Sequence, residues 1–311
     1  MLLKQMMEIF DLVDRADANG YSVKALMESY GAKDVAVKTI IGNEGKTDFI
    51  KIRIPGTKGK STDSKAPTLG IMGRLGGLGA RPEVIGMVSD GDGAVVALTI
   101  ALKLLDMQQK GDFLEGDVIV CTHICPDAPT QPHDPVPFMG SPVEMSVVNK
   151  EEVNDELDAI LSVDTTKGNK IINTRGFAIS PTVKEGYILK VSDDLLNIMQ
   201  ITTGKLPCVF ALSTQDITPY GNDLHHLNSI LQPATATNAP VVGVAITTEM
   251  PVPGSASGAS HFVDMEEASR YMLEVAKAFG RRKCQFYDQG EYAKIISKYG
   301  SMKHLQTLGK E

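Results

Sequence analysis

Apolar residues near the amino terminus recur at helical spacing. Leu3, Met6, Met7, Phe10 and Val13 fall on one face and predict a helix over residues 1–16. Ser22 as a cap and Gly31 as a stop predict a second helix over 22–31. Residues 33–54 then alternate as strands do (DVAVKTI, then DFIKIRI), with Gly42-Asn43-Glu44-Gly45 between the two runs. A polar loop follows from Gly56 to Lys65. Short apolar runs of strand length come next, at 67–73, 117–124, 159–164, 206–213 and 240–247. Helical patterns separate several of them: Val95, Leu98, Leu102 and Leu105 mark one face, and Leu195, Ile198, Met199 and Thr202 another. Residues 264–279 give a third helix, with Asp264 as its cap and Gly280 as its stop. Fully apolar strands alternating with helices predict an α/β fold with a mainly parallel sheet covered on both faces. Sites in such sheets gather at the carboxyl ends of the strands.

Composition adds little to this picture and removes several alternatives. The 311 residues are 42% hydrophobic and 22% charged, enough for a sizeable core, and no internal repeat divides them. We expect one α/β domain over 1–311 with a helical segment at 1–31. The formal net charge of -7 argues against nucleic acid as a partner, because phosphate neutralisation needs a basic surface. No apolar run approaches the roughly 18 residues of a membrane span, and the first residues lack the apolar core and cleavage site of a signal peptide. A cytoplasmic protein is expected. Cys121, Cys125, Cys208 and Cys284 form no C-x-x-C pair, and Cys121 and Cys208 sit in apolar runs as core residues. Residues 126–142 carry six prolines, which exclude regular structure and predict a long loop. That loop is a candidate lid or subunit contact.

Several motifs fail on inspection. Gly59-Lys60-Ser61 ends like a phosphate-binding loop, but Ile54 stands where that motif needs glycine. Gly76-Gly77-Leu78-Gly79 does not open a helix, since Arg81-Pro82 and another extended run intervene. A nucleotide-binding enzyme therefore rests on nothing firm. No G-x-S-x-G elbow and no H-E-x-x-H are present.

Three positions survive as candidates. Asp92 precedes a helix, Asp164 ends the strand AILSVD, and His261 lies in the small-residue loop PGSASGASHF before the last long helix. Carboxylates and imidazoles are ligand types for zinc, manganese or cobalt. Each also has a plainer role, as helix cap, turn former or loop histidine. His225, His226 and His133 are further candidates, and neighbouring histidines on a helix point different ways.

In order, these features resemble the co-catalytic zinc exopeptidases, the glutamyl and tetrahedral aminopeptidases and the zinc carboxypeptidases. Residues 71–76 (IMGRLG) stand where that superfamily has G-H-x-D, and Asp92-Gly93-Ala94-Val95-Val96 stand at its helix-opening aspartate. Ser162-Val163-Asp164-Thr165-Thr166 match its V-D-x-T motif, and Gly221-Asn222-Asp223-Leu224-His225 resemble its G-T-D-A segment. Val241 to Thr247 and His261 to Asp264 resemble its last strand, histidine and helix start. The chain as a whole also resembles an uncharacterised family, domain of unknown function 1177. The resemblance implies a three-layer α/β sandwich with a mainly parallel central sheet, here without the large inserted domain. It implies zinc or another divalent transition metal held by Asp92, Asp164 and His261, and a homo-oligomer. The implied substrate is a small molecule or short peptide, with hydrolysis at an amide bond.

The departures lie at the metal site. Arg74 replaces the motif histidine, Gly76 replaces its aspartate, and the Glu-Glu pair is missing, with Cys125-Pro126-Asp127 following the strand instead. The resemblance thus implies an altered, mononuclear site. Arg74 would pair with Asp92 and Asp164 in place of the second metal and hold a substrate carboxylate. Asp127 or His123 would act as general base. The competing expectation is a non-catalytic relative that binds a small acidic ligand or serves as a subunit.

Overall fold

The computed structural model describes residues 2–74, 86–132, 138–254 and 257–310, without the side chains of residues 131, 138 and 257. The Gly76–Gly79 loop, Arg81-Pro82 and His133 lie outside the described residues. The predicted amino-terminal helices form as α1 (Leu3–Val13) and α2 (Gly20–Ser29), which buries Met6, Ile9, Val23 and Met27. Asn19 rather than Ser22 caps α2: its side chain accepts from the Ser22 N–H at 2.9 Å, so Ser22 lies in the first turn. Gly31 follows the helix at φ +89, a conformation that costs glycine nothing.

The alternating segment folds into β1 (Asp34–Gly42) and β2 (Gly45–Ile54), an antiparallel hairpin whose register closes at Gly42 opposite Gly45. Then come β3 (Leu69–Gly73), α3 (Asp92–Gln109), β4 (Val118–Ile124), the short pair β5 (Thr130–Gln131) and β6 (Phe138–Met139), and α4 (Met145–Glu152). The chain continues through β7 (Ala159–Thr165), β8 (Gly176–Ile179), β9 (Val183–Lys184), β10 (Tyr187–Ile188) and α5 (Asp193–Thr203). It ends with β11 (Val241–Thr247), α6 (Phe262–Gly280) and α7 (Gln289–Tyr299).

The main sheet runs β1-β2-β4-β3-β7-β11-β9-β10, with β8 also paired to β11. β4, β3, β7 and β11 are parallel, and their runs are buried throughout, as strands covered on both faces must be. The flanking pairs β1/β2, β2/β4, β11/β8 and β11/β9 are antiparallel. The expected strand at 206–213 does not form. Val209 makes one isolated bridge to Ile179, Leu206 is 84% exposed, and β8 pairs with β11 instead.

Side chains alternate across the sheet. On one face Ile71, Val120, Leu161, Val163 and Val244 pack with α1, α2, α3, α5 and α6. On the other, Met72, Ile119, Cys121, Ile160 and Ala245 pack with Ile230 and Leu231 of the short 3-10 helix Ser229–Thr235. Cys121 is buried as expected, while Cys208 is half-buried. α3 is buried along nearly its whole length. It can lie so near the sheet because Gly93 has no side chain: a Cβ there would sit 2.1 Å from the Arg74 carbonyl oxygen and 2.7 Å from that of Val163. This approach sets the start of α3, and Asp92 with it, at the carboxyl ends of β3 and β7.

Candidate functional site

Asp92 is the first residue of α3, where the helix dipole favours a negative charge. Its carboxyl is buried, accepts from the Ser260 hydroxyl at 2.5 Å, and stands 3.8 Å from the Lys167 ammonium. Burial pushes it up to about 7 against the pull of Lys167 and Ser260. Asp90, in the 3-10 turn Ser89–Gly91, accepts from the Met139 N–H at 3.2 Å. Burial raises it as well, and Lys167 opposes the rise.

Asp164 ends the apolar core of β7. One carboxyl oxygen accepts from the Thr165 N–H at 2.7 Å and the other from the Ser229 hydroxyl at 2.9 Å. Burial, with Asp90 adding to it, pushes this carboxyl up to about 7. Lys167 lies just past the same strand, with a side chain 9% exposed. Burial lowers its pKa, while Asp92, Asp90, Asp164 and Asp264 hold it up. This ammonium is thus shared among several buried carboxyls, with Asp92 the nearest.

A cleft of about 850 Å³ opens on this group. Asp90, Asp164, Lys167, Tyr220 and Ser229 line it, and Met145 of α4 forms part of another wall. Both His225 and His226 border it. The His226 ring is committed to the backbone, with Nδ1 3.0 Å from the Leu224 carbonyl and Nε2 3.1 Å from that of Thr218, and it packs edge-on to Tyr220.

The other expected site residues lie elsewhere. His261 takes the N-cap position of α6, three residues before the expected cap Asp264, and the helix starts at Phe262. Its ring is half exposed, with Nδ1 3.3 Å from Asp264 Oδ2, and it makes no ion pair with Asp92. His123 is buried in β4, with Nδ1 2.8 Å from the Thr47 hydroxyl and its ring against Phe49. Burial, aided by Arg74, pushes it down to about 3, so it is neutral and does not line the cleft. Asp127 is exposed beyond β4 and does not line the cleft either.

Arg74 does not form the expected pairs with Asp92 and Asp164. Its buried guanidinium turns to α4, with Nε 3.0 Å from Glu152 Oε2, Nη2 donating to Asn149 Oδ1 at 2.8 Å and Nη1 to Met145 Sδ at 3.0 Å. The Glu152 contact is an ion pair without hydrogen-bond alignment, since neither group finds a partner in that direction. Burial still pushes Glu152 up to about 7 against Arg74. Alternation along the strand explains the direction: Gly73 faces α3, so the side chain of Arg74 leaves by the opposite face.

These donors do not fit the metal centre that the motif order implies. Among the described residues, no three His, Cys, Asp or Glu side chains converge as ligands. The aspartates that do gather share Lys167, while His123 faces Thr47 and His261 faces Asp264. The sequence offered no motif for Lys167, Ser229 or Ser260. The only available signal was position, since Lys167 follows a central strand at its carboxyl end, where sites of this fold class collect.

Comparison with known proteins agrees with this architecture. The chain belongs to the family described as Protein of unknown function (DUF1177), whose model matches residues 38–309. No curated protein matches it. Among solved structures, the bottromycin maturation enzyme BotP in complex with Mn is 16% identical, with a TM-score of 0.53 over 89% of this chain and 70% of that one. Legionella pneumoppila LapA is 12% identical, with a TM-score of 0.51 over 90% of this chain and 72% of that one. Likeness at this identity shows a shared fold. No helix among the described residues is long and apolar enough to cross a membrane.

Proposed function

We propose that this protein is a hydrolase of an amide bond in a small peptide or amino-acid derivative, built as one three-layer α/β domain that works as a homo-oligomer. The observation that carries the reading is the placement of Asp164 and Lys167 on one cleft at the carboxyl ends of the parallel strands. Asp164 takes the proton from the attacking oxygen. A carboxyl poised at about 7 suits that task, because it is a stronger base than an ordinary aspartate and is still ionised above neutrality. Lys167 faces the negative charge that builds on the substrate carbonyl oxygen, in a site where water does not screen it. BotP, which shares the fold, is described in complex with Mn. Here the donor set supports a fixed ammonium in the cation's place, and no step is routed through a metal.

The test is turnover of a panel of dipeptides and N-acyl amino acids by the wild type and by Asp164→Asn. We expect kcat/KM to fall by about 10²–10⁴-fold in the variant. In the wild type it should rise with pH up to about 7, as Asp164 loses its proton, and Asp164→Asn should lose that limb. A wild type that cleaves nothing yet binds small ligands in the cleft would overturn the reading in favour of a non-catalytic binding protein.

A further inference from the structure

The proton that Asp164 accepts has a donor already in place. Ser229 lines the cleft, and its hydroxyl donates to Asp164 Oδ2 at 2.9 Å. The other carboxyl oxygen is fixed by the Thr165 N–H at 2.7 Å, so the carboxylate is oriented with Oδ2 towards the serine. Tyr220 lies beside the same hydroxyl, and Lys167, which feels the Asp164 charge, borders the same cleft. A hydroxyl within hydrogen-bond reach of a base, and a base held by a third group, is the arrangement that activates a nucleophile.

We propose that Ser229 is a covalent nucleophile of this site. The inference rests on the hydrolase reading and names the attacking oxygen within it. In the first step a bond forms from Ser229 Oγ to the substrate carbonyl carbon, the hydroxyl proton moves to Asp164, and the carbonyl π pair moves onto oxygen beside Lys167. The C–N bond then breaks, and the leaving amine takes the proton from Asp164. This leaves an ester on Ser229 and a free amine. Water cleaves the ester with Asp164 again as base, returning the serine hydroxyl and a carboxylic acid. No oxidant, reductant or further reactant is needed.

A fluorophosphonate probe tests the step without a known substrate. Its phosphorus takes the place of the carbonyl carbon: the Oγ–P bond forms, the P–F bond breaks, fluoride departs, and Asp164 takes the proton. Intact and peptide mass spectrometry of the full chain should find a single adduct on the peptide that contains Ser229. The labelling rate should drop by about 100-fold or more in folded Asp164→Asn, as loss of a general base predicts, and the adduct should be absent from Ser229→Ala. A missing adduct, an adduct on another serine, or a rate indifferent to Asp164→Asn overturns the inference. A wild type that hydrolyses amides without becoming labelled leaves the hydrolase reading intact, with water as the attacking group. A labelled Ser229 in a protein that cleaves no amide sinks the amide reading and keeps the nucleophile.

Discussion

Lys167→Met removes the ammonium that stands among the buried carboxyls without removing much volume. Its nearest partner is Asp92 at 3.8 Å, where two unit charges attract by about 4 kcal/mol at an effective dielectric of 20. Breaking a buried pair from one side costs about 3–5 kcal/mol, because the remaining charge is stranded. That cost requires the carboxylates to be ionised. Asp92 and Asp164 hold their protons up to about 7 in the folded protein, while in the unfolded chain they release them near 3.9. Stability therefore falls as pH rises between those values, by at most about 1.4 kcal/mol per unit for each carboxyl, and levels off above 7. Without Lys167 the folded pKa values rise further and the decline continues past 7. At pH 8.5 we expect the variant to lose about 3–5 kcal/mol, a Tm drop of roughly 6–10 °C at about 2 °C per kcal/mol for a chain of this size. At pH 5.5 Asp92 and Asp164 are neutral and the buried ammonium has lost its nearest partner, so the variant's loss should be much smaller than at pH 8.5. Urea and thermal unfolding by circular dichroism at the two pH values give the comparison. An equal cost at pH 5.5 and 8.5 would refute the electrostatic grouping around Lys167.

Three further outcomes follow from the same geometry. Arg74→Met strands Glu152 and should cost about 3–5 kcal/mol, much of it recovered in the double variant with Glu152→Gln. A double-mutant cycle with a coupling under about 0.5 kcal/mol would show that the pair is not real. Gly93→Ala drives a methyl against two backbone carbonyls that cannot swing away. Urea unfolding should show a loss of about 1–3 kcal/mol, and amide turnover should fall as Asp92 and the start of α3 shift. Protein dialysed against zinc or manganese should retain no stoichiometric metal on elemental analysis. About one equivalent held by the wild type and lost in both Asp92→Ala and His261→Ala would overturn the reading of Lys167 as the cation of the site.

The strands and helices were legible where the pattern was long and one-sided. α1, the β1–β2 hairpin, β7 and β11 follow directly from periodicity, because each buries a face or a whole run. Residues 206–213 misled because an apolar run says only that burial is favourable, and β8 competes for the same edge of β11 with Phe177 and Ile179 buried. The site was half legible for a related reason. Motif order locates strand ends, and it placed Asp92 and Asp164 in one region. Side-chain direction depends on local packing that order does not carry. His261, at the N-cap position of α6, turns to Asp264, and Arg74, which follows Gly73 on the α3 face, turns to α4. Lys167 belongs to no motif, yet it carries the counter-charge in the proposed reading. A buried group of aspartates can be neutralised by protons, by a metal or by a neighbouring ammonium, and only the ammonium is written in the chain. The loss of the motif histidine at Arg74 therefore need not mean a retired site. In the proposed reading the counter-charge is carried by a residue of the fold, and the position of the motif histidine is free for a side chain that serves α4 instead.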